Sequence, residues 1–538
     1  MAMAEKWLAA NYNTSEQTLF DYNVYALCSD GDLMEGVACE AASLAGHLKL
    51  DNLCWIYDDN HITIEGDTDL SFSEDVGERF KGLGWNVAHV ADANDLVALR
   101  AALDSFHGCS DKPTIIIVRS IIGWGAPNKQ NTHGAHGAPL GWDEVALAKE
   151  NYGFPKDEKF YVPDGVREHF QRNVGERGAD AYQAWSATWS DYQKAHPDKG
   201  TELKAMFSGQ LPDGWDRDIP TFEASEKGDA TRNSSGKVLN SIAKNIPFMI
   251  GGSADLAPSN KSELTFEGAG NFLPGQYAGR NLHFGIREHA MAGVVNGLSL
   301  SGLRAYAATF FVFTDYMRGG MRLASIMHQP VLYILTHDSI GVGEDGPSHQ
   351  PVEHLTACRA IPGIYVFRPG DANEVAECYR TAMKIDDHPS AFVLSRQNMP
   401  TLDRDVYASA SLCAKGGYVL SDCEGTPDVI LMASGSELGL CTAAARELTD
   451  AGKNVRVVSM PCMELFAQQS PSYRDEVLPP EVTNRVAVEA GIRMCWDRWI
   501  GSAGKFVGMS GYGASGPYAE VYEHFGITVE AVIDAANG

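Results

Sequence analysis

The chain has 538 residues, 44% hydrophobic and 21% charged, enough to bury several cores and to suggest about three domains. Forty-three basic against seventy acidic residues leave a formal charge of −27, which repels polyanions, and no Lys/Arg run reverses this locally, so nucleic acid is excluded as a partner. No apolar stretch reaches membrane-spanning length, and the eleven cysteines lack any CxxC pair, as expected of small buried hydrophobes in a reducing, cytoplasmic compartment.

The first residues, MAMAEKWLAANYN, put Glu5 and Lys6 where a secretory signal needs an apolar run, while Met3, Trp7 and Ala10 share one face of a predicted helix. Strand-sized runs follow at Val24–Cys28, Leu53–Asp58 and Thr114–Arg119, alternating with predicted helices over Glu35–Leu48 and Asp92–Phe106. That alternation implies βαβ units and a mainly parallel sheet. From Tyr161 to Glu226 the chain is more polar and contains Pro197, Asp198, Pro212 and Gly214, which reads as a helical linker. Strands resume at Phe248–Gly251, Ala305–Phe311, Val331–Thr336 and Phe392–Ser395. After the turn at Lys415–Gly417 come strand Val429–Ala433, a helix over Leu438–Ala451, and strands Val455–Ser459 and Val486–Glu489. The expectation is an α/β protein of three domains, residues 1–226, 227–411 and 412–538, with mainly parallel sheets flanked by helices.

Chemistry is concentrated at strand ends. In SDGDLMEG, Asp30 and Gly31 close one strand, and in YDDN, Asn60 closes the next. A carboxylate and an amide on adjacent parallel strand ends meet at the carboxyl edge of the sheet, where such folds bind ligands. Both offer hard oxygen donors suited to Mg²⁺ or Ca²⁺ on a diphosphate, and Gly31 would let the backbone approach that diphosphate closely. Asp and Asn are also ordinary turn residues after strands, so the pair alone leaves both readings open.

An Asp-Gly after one strand and an Asn closing the next resemble the thiamine-diphosphate motif, with Ser29 in place of the usual first glycine. The segments GAPNKQNTHGAHGAPLG, GGSADLAPSN, HFGIREHAM, THDSIGVGEDGPSHQPVEH and LSRQN then follow in the order of the transketolase family, spanning all three domains. The resemblance implies two thiamine-diphosphate-binding domains, one for the diphosphate and metal and one for the aminopyrimidine, followed by a C-terminal transketolase-type domain. It implies reversible transfer of a two-carbon ketol unit from a ketose phosphate to an aldose phosphate through a dihydroxyethyl-thiamine diphosphate intermediate.

The family's functional positions carry over residue by residue. Asp30, Asn60 and the carbonyl of Ile62 match the metal ligands, and Gly31, Asn60, His136 and Asp255 match cofactor contacts. Glu288 matches the glutamate on the aminopyrimidine ring, where a carboxyl group favours the imino tautomer that removes the C2 proton. Phe313 and Tyr316 match the wall on which that ring stacks, whereas core packing accounts for Phe310. Glu35 and Glu40 match acids that connect the two cofactor sites of a homodimer whose sites are shared between chains. Arg232, Ser259, His337 and Arg396 match the phosphate site, while His136, His349 and Asp345 match contacts to sugar hydroxyls, with His136 and His349 as acid–base groups.

One departure concerns the start of the chain. The family's first domain begins well before the segment matching MAMAEKW, and the preceding part carries further cofactor contacts. A natural short form, a separate polypeptide supplying the missing part, and an incomplete chain are the three readings this leaves. Outside transketolase proper, a dihydroxyacetone synthase would accept formaldehyde, which the phosphate-site matches oppose, and a non-catalytic assembly partner would keep the fold without full activity.

Overall fold

The computed structural model describes residues 1–538. They form two compact units, Met1–Leu203 with Phe272–Ala278, and Lys204–Asn271 with Gly279–Gly538.

The first unit is built on four parallel strands, β1 (Val24–Ser29), β2 (Leu53–Asp59), β3 (Asn86–Val90) and β4 (Thr114–Arg119), in the order β1-β2-β4-β3. The Thr-Ile-Ile-Ile-Val run of β4 is buried throughout, as a central strand covered on both faces requires. Cys54, Val90, Ala102, Phe106 and Ile116 pack together beside it. Helix Leu96–His107 starts later than the apolar pattern suggests because Asp95 caps it, its carboxylate accepting the amides of Val97 and Ala98. The helix Ala2–Tyr12 forms as expected, with Met3 and Trp7 buried, but Ala10 is exposed rather than on the buried face. Strand β3 was not anticipated: NVAHV is short, half-polar and recognisable only by its pairing with β4. In the polar stretch after Tyr161, Pro197 opens the helix Pro197–Phe207, a position where its missing amide is not needed.

The second unit holds a six-stranded parallel sheet of β6 (Met249–Ser253), β7 (Asn281–His283), β8 (Arg304–Phe310), β9 (Leu332–Thr336), β10 (Tyr365–Phe367) and β11 (Ser390–Leu394), ordered β10-β11-β9-β8-β6-β7. Every residue of β6, β9 and β11 is buried. β6 lies so close to its neighbours that a Cβ at Gly251 or Gly252 would fall 2.2 Å from the Tyr306 carbonyl oxygen or 1.8 Å from that of Leu282, so glycine is needed there. A short antiparallel pair joins β5 (Ser225–Asp229) to β12 (Met399–Thr401). The C-terminal sheet contains β13 (Tyr418–Ser421), β14 (Val429–Ala433), β15 (Val455–Ser459), β16 (Arg485–Ile492) and β17 (Lys505–Met509), ordered β13-β15-β14-β16-β17, with only β13 antiparallel. No helix is long and apolar enough to cross a membrane, and all eleven cysteines are free.

Candidate active site

In the first unit, β1 and β2 run in register with Ser29 opposite Asp58, so Asp30 and Asn60 emerge side by side at the carboxyl edge. Asp30 does not end the strand; it opens the short helix Asp30–Met34. Its buried carboxylate accepts the Tyr57 hydroxyl at 2.5 Å and the His61 amide at 3.1 Å. Burial pushes its pKa up from the ordinary aspartate value, with those hydrogen bonds opposing, so the charged form is penalised there. Asn60 is buried beside it, its Oδ1 accepting the Ile62 amide at 2.9 Å. A Cβ at Gly31 would meet no protein atom within 4 Å, and its φ is ordinary. The chain's own packing therefore does not demand glycine there. Glu35 is exposed between two helices, Glu40 lies along Gly36–His47, and His136 is exposed just beyond a single turn at His133–Ala135.

In the second unit the candidates again lie at the carboxyl ends of strands. Asp255 follows β6 with φ 62° and its side chain exposed. Glu288 follows β7 as the first residue of helix Glu288–Leu300, buried, with the Thr309 hydroxyl donating to it at 3.4 Å. Phe313 and Tyr316 follow β8, with ring centroids 6.0 Å apart. Phe310 is not core filler. Its ring lies 3.8 Å from that of His337, 6.4 Å from His349 and 6.0 Å from Phe313, nearly parallel to the last. The one available signal was its position at the end of a strand already singled out for its neighbours.

The expected phosphate ligands come together. Thr231 and Ser395 exchange hydrogen bonds, the Thr231 amide donating to Ser395 Oγ at 3.0 Å and the Ser395 amide to Thr231 Oγ1 at 2.7 Å. This pins the start of helix Thr231–Asn245 to the end of β11, and so brings Arg232 near Arg396. Arg232 donates to the Ser259 carbonyl at 3.0 Å and to its hydroxyl at 3.3 Å, while its Nε is buried without a partner. Burial and the charge of Arg396 both lower the Arg232 pKa. Neither arginine forms an ion pair. His337, beyond β9, is pushed down to about 3 by burial, Arg232, Arg396 and His349, so it is neutral in the free site. It adopts φ 67°, a left-handed conformation that costs a residue with a Cβ on the order of 1–2 kcal/mol. His349 is half-buried near Phe313, whereas Asp345 and Tyr316 are exposed, and no contact draws Asp345 into the cluster.

This arrangement matches known proteins along the whole chain. Residues 1–212 fit the thiamine diphosphate binding domain of transketolase, residues 227–401 its pyrimidine binding domain, and residues 416–528 the transketolase-like C-terminal domain. The chain belongs to the transketolase family. It is 48% identical to a transketolase of Geobacillus stearothermophilus over 535 residues, 99% of the chain and 80% of that relative. A transketolase structure from Leishmania mexicana superposes with a TM-score of 0.95 at 40% identity, covering 100% of this chain and 78% of that one. A Pichia stipitis transketolase in complex with sedoheptulose-7-phosphate gives 0.95 at 38% identity, covering 100% and 79%. The matches cover this chain from end to end, and no second polypeptide is proposed. As a member of the family the chain is an enzyme that transfers a two-carbon ketol unit reversibly between a ketose phosphate and an aldose phosphate, using thiamine diphosphate. Its residues fit that group: open space faces Gly31, Asp30 and Asn60 place buried oxygen donors side by side at the sheet edge, and an aromatic shelf stands at the end of β8.

Proposed function

We propose that this chain works as a transketolase on sugar phosphates with Mg²⁺ or Ca²⁺ as its metal, in a cytoplasmic compartment suited to its free cysteines, through the following residues. When bound, thiamine diphosphate supplies the carbon nucleophile and electron sink that cleavage of a ketose C2–C3 bond requires. Asp30, Asn60 and the Ile62 carbonyl would hold the metal that carries the diphosphate, with Gly31 giving the backbone room to approach. The Glu288 carboxyl would hold a proton at the aminopyrimidine N1′, with Phe313 and Tyr316 as the apolar wall and Asp255 nearby. His349 and His136 would take the C3 hydroxyl proton and return it to the acceptor, and Asp345 would hold a sugar hydroxyl. The natural divisions for these roles are residues 1–226, 227–411 and 412–538.

The observation carrying the phosphate assignment is the cluster of Arg232, Arg396, Ser259 and neutral His337, which contains two cations, an orphaned buried N–H and no ion-paired carboxylate. A dianion satisfies all of these together. Assayed with a ketose phosphate donor and an aldose phosphate acceptor, the parent chain is expected to transfer the ketol unit. Arg232→Ala or Arg396→Ala should raise KM for the phosphorylated donor by about ten- to a hundredfold, with hydroxypyruvate barely affected. Equal losses on both donors would assign the arginines a structural role instead.

The working unit is proposed to be a homodimer, with each cofactor site completed by the first domain of one chain and the second domain of its partner, and with Glu35 and Glu40 between the two sites. Asp30→Ala chains reassembled with Glu288→Ala chains would then put both lesions in one site and none in the other. With random pairing half the dimers are mixed, so about a quarter of all sites recover. Activity that stays at background after verified subunit exchange would rule out the shared site.

A further inference from the structure

His337 holds its left-handed backbone immediately before Asp338, and neither residue is solvent-exposed. A strained conformation persists only where its surroundings over-determine it, and here they do so from an unexpected direction. Arg368, beyond β10 and wholly buried, grips Asp338 Oδ2 with two donors, Nε at 3.1 Å and Nη2 at 2.7 Å. Its remaining nitrogen, Nη1, donates to Glu437 Oε2 at 2.5 Å and to the Ser434 carbonyl at 2.7 Å, both in the turn that follows β14 of the C-terminal sheet. That turn is shaped around the guanidinium. Gly435 has φ 62°, its amide donates to the Arg368 carbonyl at 2.9 Å, and a Cβ there would lie 2.6 Å from Arg368 Cζ. Glu437 is held in turn by the hydroxyls of Tyr522 at 2.8 Å and Ser436 at 2.7 Å, and the Tyr522 hydroxyl also reaches Ser339 Oγ at 3.2 Å. Ser339 Oγ donates to Asp338 Oδ1 at 3.2 Å and accepts the Gly341 amide at the same distance. Of the two residues after His337, Ser339 thus meets a C-terminal element directly and Asp338 does so through Arg368.

We propose that Arg368 and Glu437 are positioning residues for the substrate phosphate, through which the C-terminal domain sets the conformation of His337 without itself touching substrate. The guanidinium fixes the direction of Asp338, not merely its charge, because its Nε and Nη2 converge on Oδ2 while the Ser339 hydroxyl holds Oδ1, so both carboxylate oxygens are pinned where a single ammonium would hold one. Asp338 in turn fixes the peptide that follows His337, and with it the imidazole's place beside Arg232 and Arg396. The alternative is that the buried ion pairs only hold two domains together, which would weaken folding without distinguishing one ligand from another.

The proposal rests on the reading of His337 as a phosphate ligand, and the experiment separates the two. The full chain is titrated calorimetrically with a pentose 5-phosphate as parent, His337→Ala, Asp338→Asn, Glu437→Gln and the double variant His337→Ala with Asp338→Asn. Asp338→Asn and Glu437→Gln keep the side-chain shape, and each is expected to weaken binding by about tenfold. In the His337→Ala background the further loss from Asp338→Asn should be no more than about twofold, since neighbours acting through one group are not additive. If Asp338→Asn does not fold, Glu437→Gln is combined with His337→Ala for the same comparison. An unchanged affinity in the isosteric variants, or an equal loss with and without the His337 imidazole, would overturn the positioning role. A His337→Ala chain that binds as tightly as the parent would instead remove the phosphate-site reading beneath it.

Discussion

Replacing Asp30 with Ala is expected to abolish retention of thiamine diphosphate at ordinary magnesium concentrations, lowering its apparent affinity at least about a hundredfold. The carboxylate is buried, and burial raises its pKa against the opposing Tyr57 and His61 hydrogen bonds, so its charged form carries a desolvation cost. A divalent cation offsets that cost, and the diphosphate completes the cation's oxygen shell. The fold should survive, because Asp30 accepts only the Tyr57 hydroxyl and the His61 amide. Circular dichroism checks this, and calorimetric titration of the cofactor with and without Mg²⁺ reads the affinity. Unchanged binding in Asp30→Ala would remove it from the metal site.

Glu288→Gln is expected to retain the cofactor but to slow turnover by about 10² to 10⁴, the range for a lost proton-transfer group. Glutamine preserves the shape and the contact with the Thr309 hydroxyl but, although its amide can donate a hydrogen bond, it has no acidic proton to transfer to a ring nitrogen. The informative measurement is exchange of the cofactor's C2 proton for deuterium on the loaded chain. Exchange as fast as in the parent would sink the activation role, whereas loss of binding alone would make Glu288 a contact residue. The carboxylate is buried at the first turn of helix Glu288–Leu300, which fixes its position at the strand end.

Much of the site is written in local sequence. Asp30, Asn60, His337 and Arg396 could each be placed just after a strand because the preceding runs VYALCS, LCWIY, LYILT and AFVL are short and mostly apolar, and their termination by polar residues is visible without tertiary information. The same locality explains the accuracy of strands such as Thr114–Arg119, Val429–Ala433 and Val455–Ser459. Strand β3 and the pair β5 and β12 were missed because they are short and owe their form to partners distant in the chain.

The sequence by itself therefore determined the α/β class, the family and the residue types available at each strand end, since hydrophobic period and ordered motifs are properties of neighbouring positions. Only the tertiary structure decided which of those residues meet. Phe310 proved to face His337 and His349, which its position at a strand end in TFFVFTDY could suggest but not establish. Arg368 proved to bridge Asp338 and Glu437, residues that no periodicity connects. The physical reason is that a buried charge can persist only where opposite charge and hydrogen-bond partners converge on it, and that convergence is set by how whole sheets pack.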